Sequence, residues 1–187
     1  MTTNSPTRML EDEHLVIAKV VGAVSVLADR LEAGQSVDVE TLFGVIEFIH
    51  TFVDKCHHAK EEELLFPTLG QKGIPMQGCP VGALTAEHTH GRVLAKELEE
   101  AAKAYKSGEP AAREAVVKSL RGIVALYPSH IWKEDYLLFP LTEKVLNVEE
   151  QQSLYQQFEQ VEERIGREVH HRLEHFAEEL SASTQAG

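Results

Sequence analysis

Apolar residues recur at helical spacing along most of the chain, and glycines and prolines separate the helical stretches. The first part of the pattern predicts a helix over residues 9–33, which Gly34 ends. It then predicts a second helix over residues 39–66, with Asp38 as its N-cap and Pro67 ending or kinking it. A short turn joins the two helices, so we expect them to lie antiparallel.

The second part of the pattern begins with a loop rich in glycine and proline over residues 68–82, a length that is often functional or mobile. A third helix is predicted over residues 83–106. A fourth is predicted over residues 110–139, with a kink at Pro128. A fifth, amphipathic helix is predicted over residues 148–180.

The predicted fifth helix carries one continuous apolar stripe. Asn147 and Glu150 resemble a capping box at its start. The stripe must be buried, either against the other helices or against a second copy of the chain, which would form a homodimer through this helix. We expect residues 1–8 and 181–187 to be loose polar tails. The stripe consists of Leu154, Phe158, Val161, Ile165, Val169, Leu173, Phe176 and Leu180.

The composition fits one soluble all-α domain spanning residues 1–187. Of its 187 residues, 43% are apolar and 6% are aromatic. The net charge of −12 disfavours a nucleic-acid partner, because an acidic surface repels phosphates. No apolar run is long enough for a membrane span, and we expect no secretory signal. Two cysteines are too few for a disulfide framework, which predicts a reducing, cytoplasmic location.

An eleven-residue phrase occurs twice in the chain. HHAKEEELLFP covers residues 57–67, and HIWKEDYLLFP covers residues 130–140. Each phrase places a His and a Glu four positions apart, which on a helix puts an imidazole and a carboxylate on one face. A shorter Glu-His pair ends at His14 and again at His88. The repetition predicts two similar helical hairpins, each with a His on its first helix and His-x-x-x-Glu on its second.

The positions of four histidines support this arrangement independently of the repeat. In an antiparallel hairpin, residues at equal distances from the turn lie at the same height, because both helices rise about 1.5 Å per residue. The midpoint between His14 and His57 falls inside the first predicted turn. The midpoint between His88 and His130 falls inside the turn between the third and fourth helices. We therefore predict an antiparallel four-helix bundle over residues 9–140, a common host for inward-facing metal ligands.

Six side chains should meet in the core of this bundle. Six nitrogen and oxygen ligands are too many for a structural zinc, which takes four, but they suit two divalent metal ions bridged by the carboxylates. Imidazole and carboxylate ligands favour iron, and manganese less strongly. Two buried carboxylates also need positive charge, which two metal ions would supply. The predicted ligands are His14, His57, Glu61, His88, His130 and Glu134.

These residues resemble those of the hemerythrin family, specifically its bacterial hemerythrin-like branch, over about residues 9–140. The most specific likeness is CHHAKEE over residues 56–62 followed by LFP over residues 65–67, and EHTHGR over residues 87–92 is a good one. The resemblance implies a four-helix bundle with a non-heme diiron centre, bridged by an oxo or hydroxo group, that binds small diatomic ligands. By motif, it implies the same six metal ligands.

The chain departs from the oxygen-carrying hemerythrins at two positions. Those proteins place a second His four residues after the His of the third helix, where this chain has Arg92. Their last bundle helix has an Asp five residues after its His, where this chain has Glu134 at four. A set of four His and two Glu resembles the branch linked to nitric oxide, peroxide and iron–sulfur repair chemistry rather than to simple oxygen carriage.

Three classes of function fit the sequence. The first, which we favour, is a diiron protein that binds oxygen, nitric oxide or peroxide for sensing, scavenging or protection against oxidative or nitrosative stress. The second is a diiron enzyme that disproportionates peroxide, reduces nitric oxide or repairs iron–sulfur clusters. The third is a structural metal-binding domain whose fifth helix docks a partner. The sequence leaves these classes open, because ligand chemistry depends on access, outer hydrogen bonds and redox potential.

Four further residues near the predicted ligands have two interpretations each. His50 and Asp54 lie on the His57 face of the second helix, either as outer partners and an entry path or in a solvated groove. Tyr127 either reaches the site or hydrogen-bonds a neighbouring carbonyl. Cys56 is either redox-active or, as we favour, a small buried hydrophobic residue.

The remaining histidines are predicted to lie away from the metal ions. On an α-helix, His58 and His90 point off the ligand face and should be exposed. Of the two, His90 is the better candidate to replace one of the predicted metal ligands. His171 and His175 are spaced for one metal, with His170 adjacent. We interpret these three as surface imidazoles.

Overall fold

The computed structural model describes residues 5–185 of the chain. These residues form α-helices and π-helical segments, and no strand occurs among them, so the all-helical prediction is confirmed. In chain order the segments are α1 (Pro6–Glu32), α2 (Val39–Phe48), π1 (Ile49–His58), π2 (Lys60–Leu65), α3 (Phe66–Gln71), α4 (Val81–Lys106), α5 (Ala112–Lys133), π3 (Glu134–Leu138), α6 (Phe139–Val145), α7 (Val148–Ile165) and α8 (Arg167–Gln185).

The first helix forms as its apolar pattern predicts. Ile17, Val24 and Leu27 lie on one face of α1 and are buried. The chain reverses after this helix at Gly34, whose φ of 82° is a conformation that residues with a side chain rarely adopt. Asp38 then occupies the N-cap position of α2, although its side chain makes no capping bond.

The second predicted helix is where the structure departs most from the prediction. This helix does not end at Pro67 but continues to Gln71, and the part that carries the repeated phrase is mostly π-helical. In a π-helix each N–H bonds the carbonyl five residues back rather than four. Pro67 is the second residue after π2 and lies in the first turn of α3, where the missing N–H of a proline is tolerated. The helix therefore passes the proline without ending.

The second copy of the phrase has the same local structure. Pro140 follows π3 at the same distance as Pro67 follows π2, and α6 continues beyond it to Val145. Pro128 lies inside α5, which continues across it. Both copies thus place their Glu in π-helical backbone, a local structure that is frequent at functional sites.

Two apolar clusters lie on either side of a buried polar layer. On α1, Leu10 belongs to one cluster and Ile17 to the other, with His14 between them. On α4, Leu84 and Leu94 flank the polar layer in the same way. The layer is therefore closed at both ends by packed apolar side chains, which keep bulk water from its centre.

The predicted fifth helix is two helices, α7 and α8, because Gly166 interrupts it with a φ of 99°. The apolar stripe is buried within the chain itself. Leu173 and Leu180 join the cluster that contains Ile17, and Phe158 joins the cluster that contains Leu10. The stripe therefore packs against the other helices of its own chain.

The ends of the described chain are more ordered than expected. Residues 181–185 continue α8, and α1 begins at Pro6. The rest of the predicted tails, residues 1–4 and 186–187, lies outside the described residues. The predicted capping box at Asn147 is confirmed, since its side chain and that of Glu150 each bond the other's backbone N–H. Within residues 5–185, no helix combines the length and the apolar character that crossing a bilayer requires.

Candidate metal centre

The six predicted ligands meet in the polar layer between the two apolar clusters. Helices α1, α4 and α5 and the three π-helical segments each contribute one side chain. All six side chains are at most 3% exposed. They are His14 on α1, His57 on π1, Glu61 on π2, His88 on α4, His130 on α5 and Glu134 on π3.

One side of the layer joins two imidazoles to a carboxylate. The Nε2 atoms of His14 and His57 are 3.1 Å apart. His14 Nε2 is also 3.1 Å from Glu134 Oε2. His57 Nε2 is 3.8 Å from Glu61 Oε2, the carboxylate that shares its phrase. His14, His57 and Glu134 thus offer three ligand atoms at a spacing that one metal ion can span.

The other side has the same composition. His130 Nε2 lies 3.2 Å from Glu134 Oε1, the carboxylate of its own phrase. His88 Nε2 lies 3.3 Å from Glu61 Oε2 and 3.5 Å from Glu134 Oε1. The two carboxylates therefore lie between the two pairs of imidazoles, with each carboxylate close to imidazoles of both pairs.

Several polar atoms in this layer lack a hydrogen-bond partner among residues 5–185. They are both carboxylate oxygens of Glu61 and of Glu134, and Nε2 of His88 and of His130. A buried carboxylate without a hydrogen bond or a cation is costly, and native proteins rarely tolerate one. Metal ions would satisfy these lone pairs, so the residues fit a metal centre.

Each of the four imidazoles turns its other ring nitrogen toward an acid. For His57 and His130 this acid comes from the same half of the chain, and it directly precedes the ligand histidine of that half's first helix. His57 Nδ1 lies 2.9 Å from Glu13 Oε2, and His130 Nδ1 lies 3.0 Å from Glu87 Oε2. Such pairs fix the ring orientation and leave Nε2 for a metal, an arrangement typical of metal-ligating histidines.

The other two imidazoles take their acids from the opposite half of the chain. His14 Nδ1 lies 2.7 Å from Asp135 Oδ1, and His88 Nδ1 lies 2.7 Å from Glu62 Oε1. Each of these acids directly follows the Glu of a repeated phrase. The sequence analysis missed all four acids, although their positions beside the predicted ligands recur in both copies.

The lysines of the repeated phrases extend these contacts. Lys60 Nζ donates to Glu13 Oε1 at 2.6 Å and to Glu162 Oε1 at 2.7 Å, and its side chain is fully buried. Lys133 donates to Glu87 in the second copy but remains 27% exposed. Both lysines therefore hold the acid that orients the histidine of their own phrase.

The aromatic residues of the phrases cover the site from the other half of the chain. The Phe66 ring stacks on His88 with centroids 5.9 Å apart, and Phe139 stacks on His14 at 5.5 Å. Both rings are almost completely buried. Both positions therefore belong to the core.

The layer attracts positive charge strongly. Burial disfavours the charged form of His14, but the hydrogen bond with Asp135 and the charge of Glu134 outweigh it and raise its pKa to about 10. At His88 burial is likewise outweighed, mainly by Glu134, and the pKa is about 11. Burial raises the pKa of Glu134, but the charges of the surrounding imidazoles, led by His130, bring it well below its usual range.

His58 lies in the polar layer, so the prediction that it is exposed is wrong. Its side chain is 3% exposed, and its ring stacks on that of His88 with centroids 3.8 Å apart and an interplanar angle of 15°. The physical reason is the π-helical backbone of π1, in which each residue turns through a smaller angle than in an α-helix. Consecutive residues His57 and His58 therefore both face the core. His90, in contrast, is exposed as predicted.

Arg92 lies beside this side of the layer, at the edge of a surface cavity of about 350 Å³. Its Nε donates to Asp54 Oδ1 at 2.7 Å, and its Nη2 donates to both oxygens of Glu62 at 2.9 Å. Asp54, 26% exposed, thus contacts Arg92 at the edge of the site and also lines this surface cavity. His50 is 40% exposed and lies 3.9 Å from a carboxylate oxygen of Glu99.

Three of the other residues singled out by the sequence lie around the centre. Tyr127 is buried, and its ring meets His130 edge-on with centroids 6.1 Å apart. His170 is only 12% exposed and lies 3.5 Å from Glu13, so its interpretation as a surface imidazole is wrong. It is partly buried against Phe52 of π1, with ring centroids 4.9 Å apart. Cys56 is fully buried, as the favoured interpretation predicts.

The last two histidines lie on the surface. His171 and His175 are 77% and 69% exposed, which confirms the sequence interpretation for both. Each faces a glutamate of its own helix.

Comparisons with known proteins agree with this picture. The family model of the hemerythrin HHE cation binding domain matches residues 5–142. An uncharacterized protein of Mycobacterium tuberculosis and one of Mycobacterium bovis are each 26% identical to the chain over 152 residues. The match covers 81% of this chain and 59% of each relative, so the chain spans about three fifths of the length of these curated relatives. No solved structure gives a significant match.

Proposed function

The chain belongs to the hemerythrin HHE cation-binding family, and from this premise we propose that it holds a pair of iron ions and binds a small ligand at them. The ligand would be oxygen, nitric oxide or peroxide, and the role sensing, scavenging or protection against oxidative or nitrosative stress. The four ligand-bearing helices would form an antiparallel four-helix bundle around the ions. Manganese is a weaker candidate than iron for this donor set.

The observation that carries the proposal is the set of buried carboxylate and imidazole atoms that have no hydrogen-bond partner within residues 5–185. His14 and His57 would bind one ion, and His88 and His130 the other. Glu61 and Glu134, which lie between the two pairs, would bridge the ions. These are six ligands for two ions, which leaves positions for a small exogenous ligand. All six predicted ligands are therefore part of the proposed metal centre.

When bound, the ion pair would supply reversible binding of a small ligand and storage of electrons. The chain's own residues orient and shield it. The outer acids hold the imidazole rings with Nε2 inward. Phe66 and Phe139 cover His88 and His14 and exclude water from the ligand nitrogens. The surface cavity beside Arg92 is lined by Glu62, which contacts His88, and it would suit the entry of a small molecule.

The cell compartment and the assembly are part of the proposal as well. We infer a reducing cytoplasm from the two unpaired cysteines, one of them buried. A homodimer through the C-terminal helices stays a prediction, and their apolar stripe is already covered within the chain. We propose no nucleic-acid partner, because the net charge is −12.

The test is iron analysis and visible absorption of the purified protein, prepared anaerobically and then exposed to oxygen, nitric oxide or peroxide. We expect about two irons per chain and a spectral change that reverses when the ligand is removed. Many turnovers of peroxide or nitric oxide per iron pair would instead identify the enzyme of the second hypothesis. A metal that neither exchanges nor responds to ligands would identify a structural domain.

Variants make the test specific to the site. Glu134→Ala removes a proposed bridge, so we expect it to lose much of the iron, and Glu61→Ala should do the same. Glu63→Ala is the matched control, since Glu63 belongs to the same phrase but is 56% exposed and pairs with Arg164 on the surface. Full iron retention in the Glu134 variant would contradict bridging by that residue.

A further inference from the structure

The acid that orients His57 is held by side chains from the C-terminal helices. Glu13 Oε2 lies 2.9 Å from His57 Nδ1, and Glu13 Oε1 accepts a hydrogen bond from Lys60 Nζ at 2.6 Å. The same Oε1 lies 3.5 Å from His170 Nε2, on α8. Lys60 also donates to Glu162 Oε1, on α7, at 2.7 Å. Both C-terminal helices therefore adjoin the contacts that fix Glu13.

Glu87, the counterpart of Glu13 in the second half, has fewer contacts. Its oxygens face His130 and Lys133, and its side chain is 22% exposed, against 5% for Glu13. Within residues 5–185, no hydrogen bond or ion pair joins Glu87 to α7 or α8. The two halves of the site thus have matching ligands but different outer contacts.

The packing of the C-terminal helices explains this difference. Helix α7 packs against π1 and π2, and α8 packs against α1, so both lie on the side of the layer that carries His57. Both helices follow residue 142, where the match to the family model ends. The contacts of Glu162 and His170 are therefore additional to those of the matched region.

The charges show what Glu162 contributes. Lys60 is fully buried, and its single positive charge is shared between Glu13 and Glu162. With Glu13 as its only acid, the ammonium would draw on the full charge of that carboxylate and compete with His57 for it. Sharing leaves Glu13 a stronger acceptor for His57 Nδ1. Such an acceptor fixes the ring and increases the basicity of the nitrogen that binds the metal.

A third metal ion is the other use that these side chains suggest. Ligand atoms of Glu13, Cys56 and His170 lie within 4.8 Å of one another. The ammonium of Lys60 already lies 2.6 Å from Glu13 Oε1, however, and it would repel a second cation at that oxygen. The cluster therefore favours holding Glu13 over binding an ion.

We propose that Glu162 and His170 are positioning residues of the metal centre that act through Glu13. They fix the ring of His57 and make its ion the more tightly held of the two. This inference rests on the proposed metal pair. Helices α7 and α8 then support the metal site in addition to covering apolar surface.

The test is proton NMR of the full chain loaded with two iron(II) ions. The Nδ1–H of each coordinated imidazole gives a paramagnetically shifted signal that is present in H₂O and lost in D₂O. We expect four such signals in the wild-type protein. Glu13→Gln changes the acceptor of the His57 proton and so identifies the His57 signal. Glu162→Gln and His170→Gln should each move that signal and leave the other three in place.

Matched controls adjoin both positions. Glu163 and His171 are 59% and 77% exposed, so Glu163→Gln and His171→Gln should leave all four signals unchanged. Iron release to a chelator gives a second measurement. The wild-type protein should lose its irons in two phases, and Glu162→Gln and His170→Gln should each accelerate the slower phase roughly 10-fold, the lower end of the effect of losing an outer partner.

The possible outcomes separate this inference from the proposed function. An unchanged His57 signal in both variants, with two irons bound, would overturn the inference and leave the metal pair intact. Movement of all four signals would also overturn it, because the two residues would then act through overall stability. A wild-type protein that binds no iron pair would contradict the proposed function and with it this inference.

Discussion

The two lysines of the repeated phrase provide a matched pair for testing how the site's outer contacts stabilise the fold. Lys60 is fully buried between Glu13 and Glu162, with its Nζ 2.6 and 2.7 Å from their oxygens. Lys133 has the same sequence position in the second phrase and contacts Glu87, but it is 27% exposed. Replacing either lysine with methionine keeps most of the side-chain stem and removes the charge. The two variants therefore differ in the burial of the carboxylates that lose their cation and in their number, two for Lys60 and one for Lys133.

Lys60→Met leaves the carboxylate of Glu13, itself 5% exposed, without its cation. Breaking a buried ion pair by removing one partner typically costs about 3–5 kcal/mol. That is a large part of the roughly 5–15 kcal/mol by which a domain is stable. A more exposed pair such as that of Lys133 contributes about 1 kcal/mol or less. For a chain of this length these values correspond to melting-temperature decreases of roughly 6–20 °C and roughly 2–4 °C.

The assay is urea unfolding of metal-free protein at pH 7, monitored by far-ultraviolet circular dichroism. The m-values should stay equal, so that the midpoints report stability. A second variant that combines Lys60→Met with Glu13→Gln removes the unpaired charge and should recover part of the loss. Free energies of unfolding of the two lysine variants that agree to within about 1 kcal/mol would refute the reasoning, because burial would then not decide the cost.

Two further predictions concern the acids and the imidazoles. Glu62→Gln weakens the contact to His88 Nδ1, so iron affinity measured by chelator competition should fall 10- to 100-fold, whereas Glu63→Gln should leave it unchanged. In the metal-free protein the pKa of His14 is about 10, above its unfolded value of about 6.5. Its protonation therefore stabilises the fold fully below pH ~6.5, and this contribution declines as the pH rises toward 10. The urea midpoint should accordingly fall between pH 7 and pH 9.5, and an equal fall in His14→Gln would contradict this account.

Repetition made the six candidate ligands predictable from the sequence. The phrase occurs twice, and the midpoint relation between paired histidines could be checked without coordinates. The structure brings all six together because long helices with regular rise convert sequence distance into height. The all-helical architecture was predictable as well, because apolar residues recur at helical spacing along most of the chain.

The position of His58 was not predictable by that reasoning. Its assignment to the exposed face assumed α-helical geometry, whereas the backbone from Ile49 to His58 is π-helical. The residue types of this segment do not distinguish an α-helix from a π-helix, so the pattern alone could not place His58 in the core. The break at Gly166 was missed for a related reason, because the apolar stripe remains in phase across it.

The outer acids could have been found in part. Glu13 and Glu87 precede histidines in the repeated Glu-His pair, and both phrases carry a second acid after the ligand Glu. Their recurrence was visible, but charged residues are common on helices, and a repeated acid alone indicates no partner. Which imidazole each acid meets depends on how the two halves pack, which the sequence pattern does not encode.

The exchange of acids between the halves has a consequence for how the site comes into being. Asp135 orients the histidine of α1, and Glu62 orients the histidine of α4. Neither half alone, as a separate fragment, would possess a complete set of oriented imidazoles. The two halves must therefore be docked before all four imidazoles are oriented, so that binding of the proposed metal pair would report correct tertiary assembly.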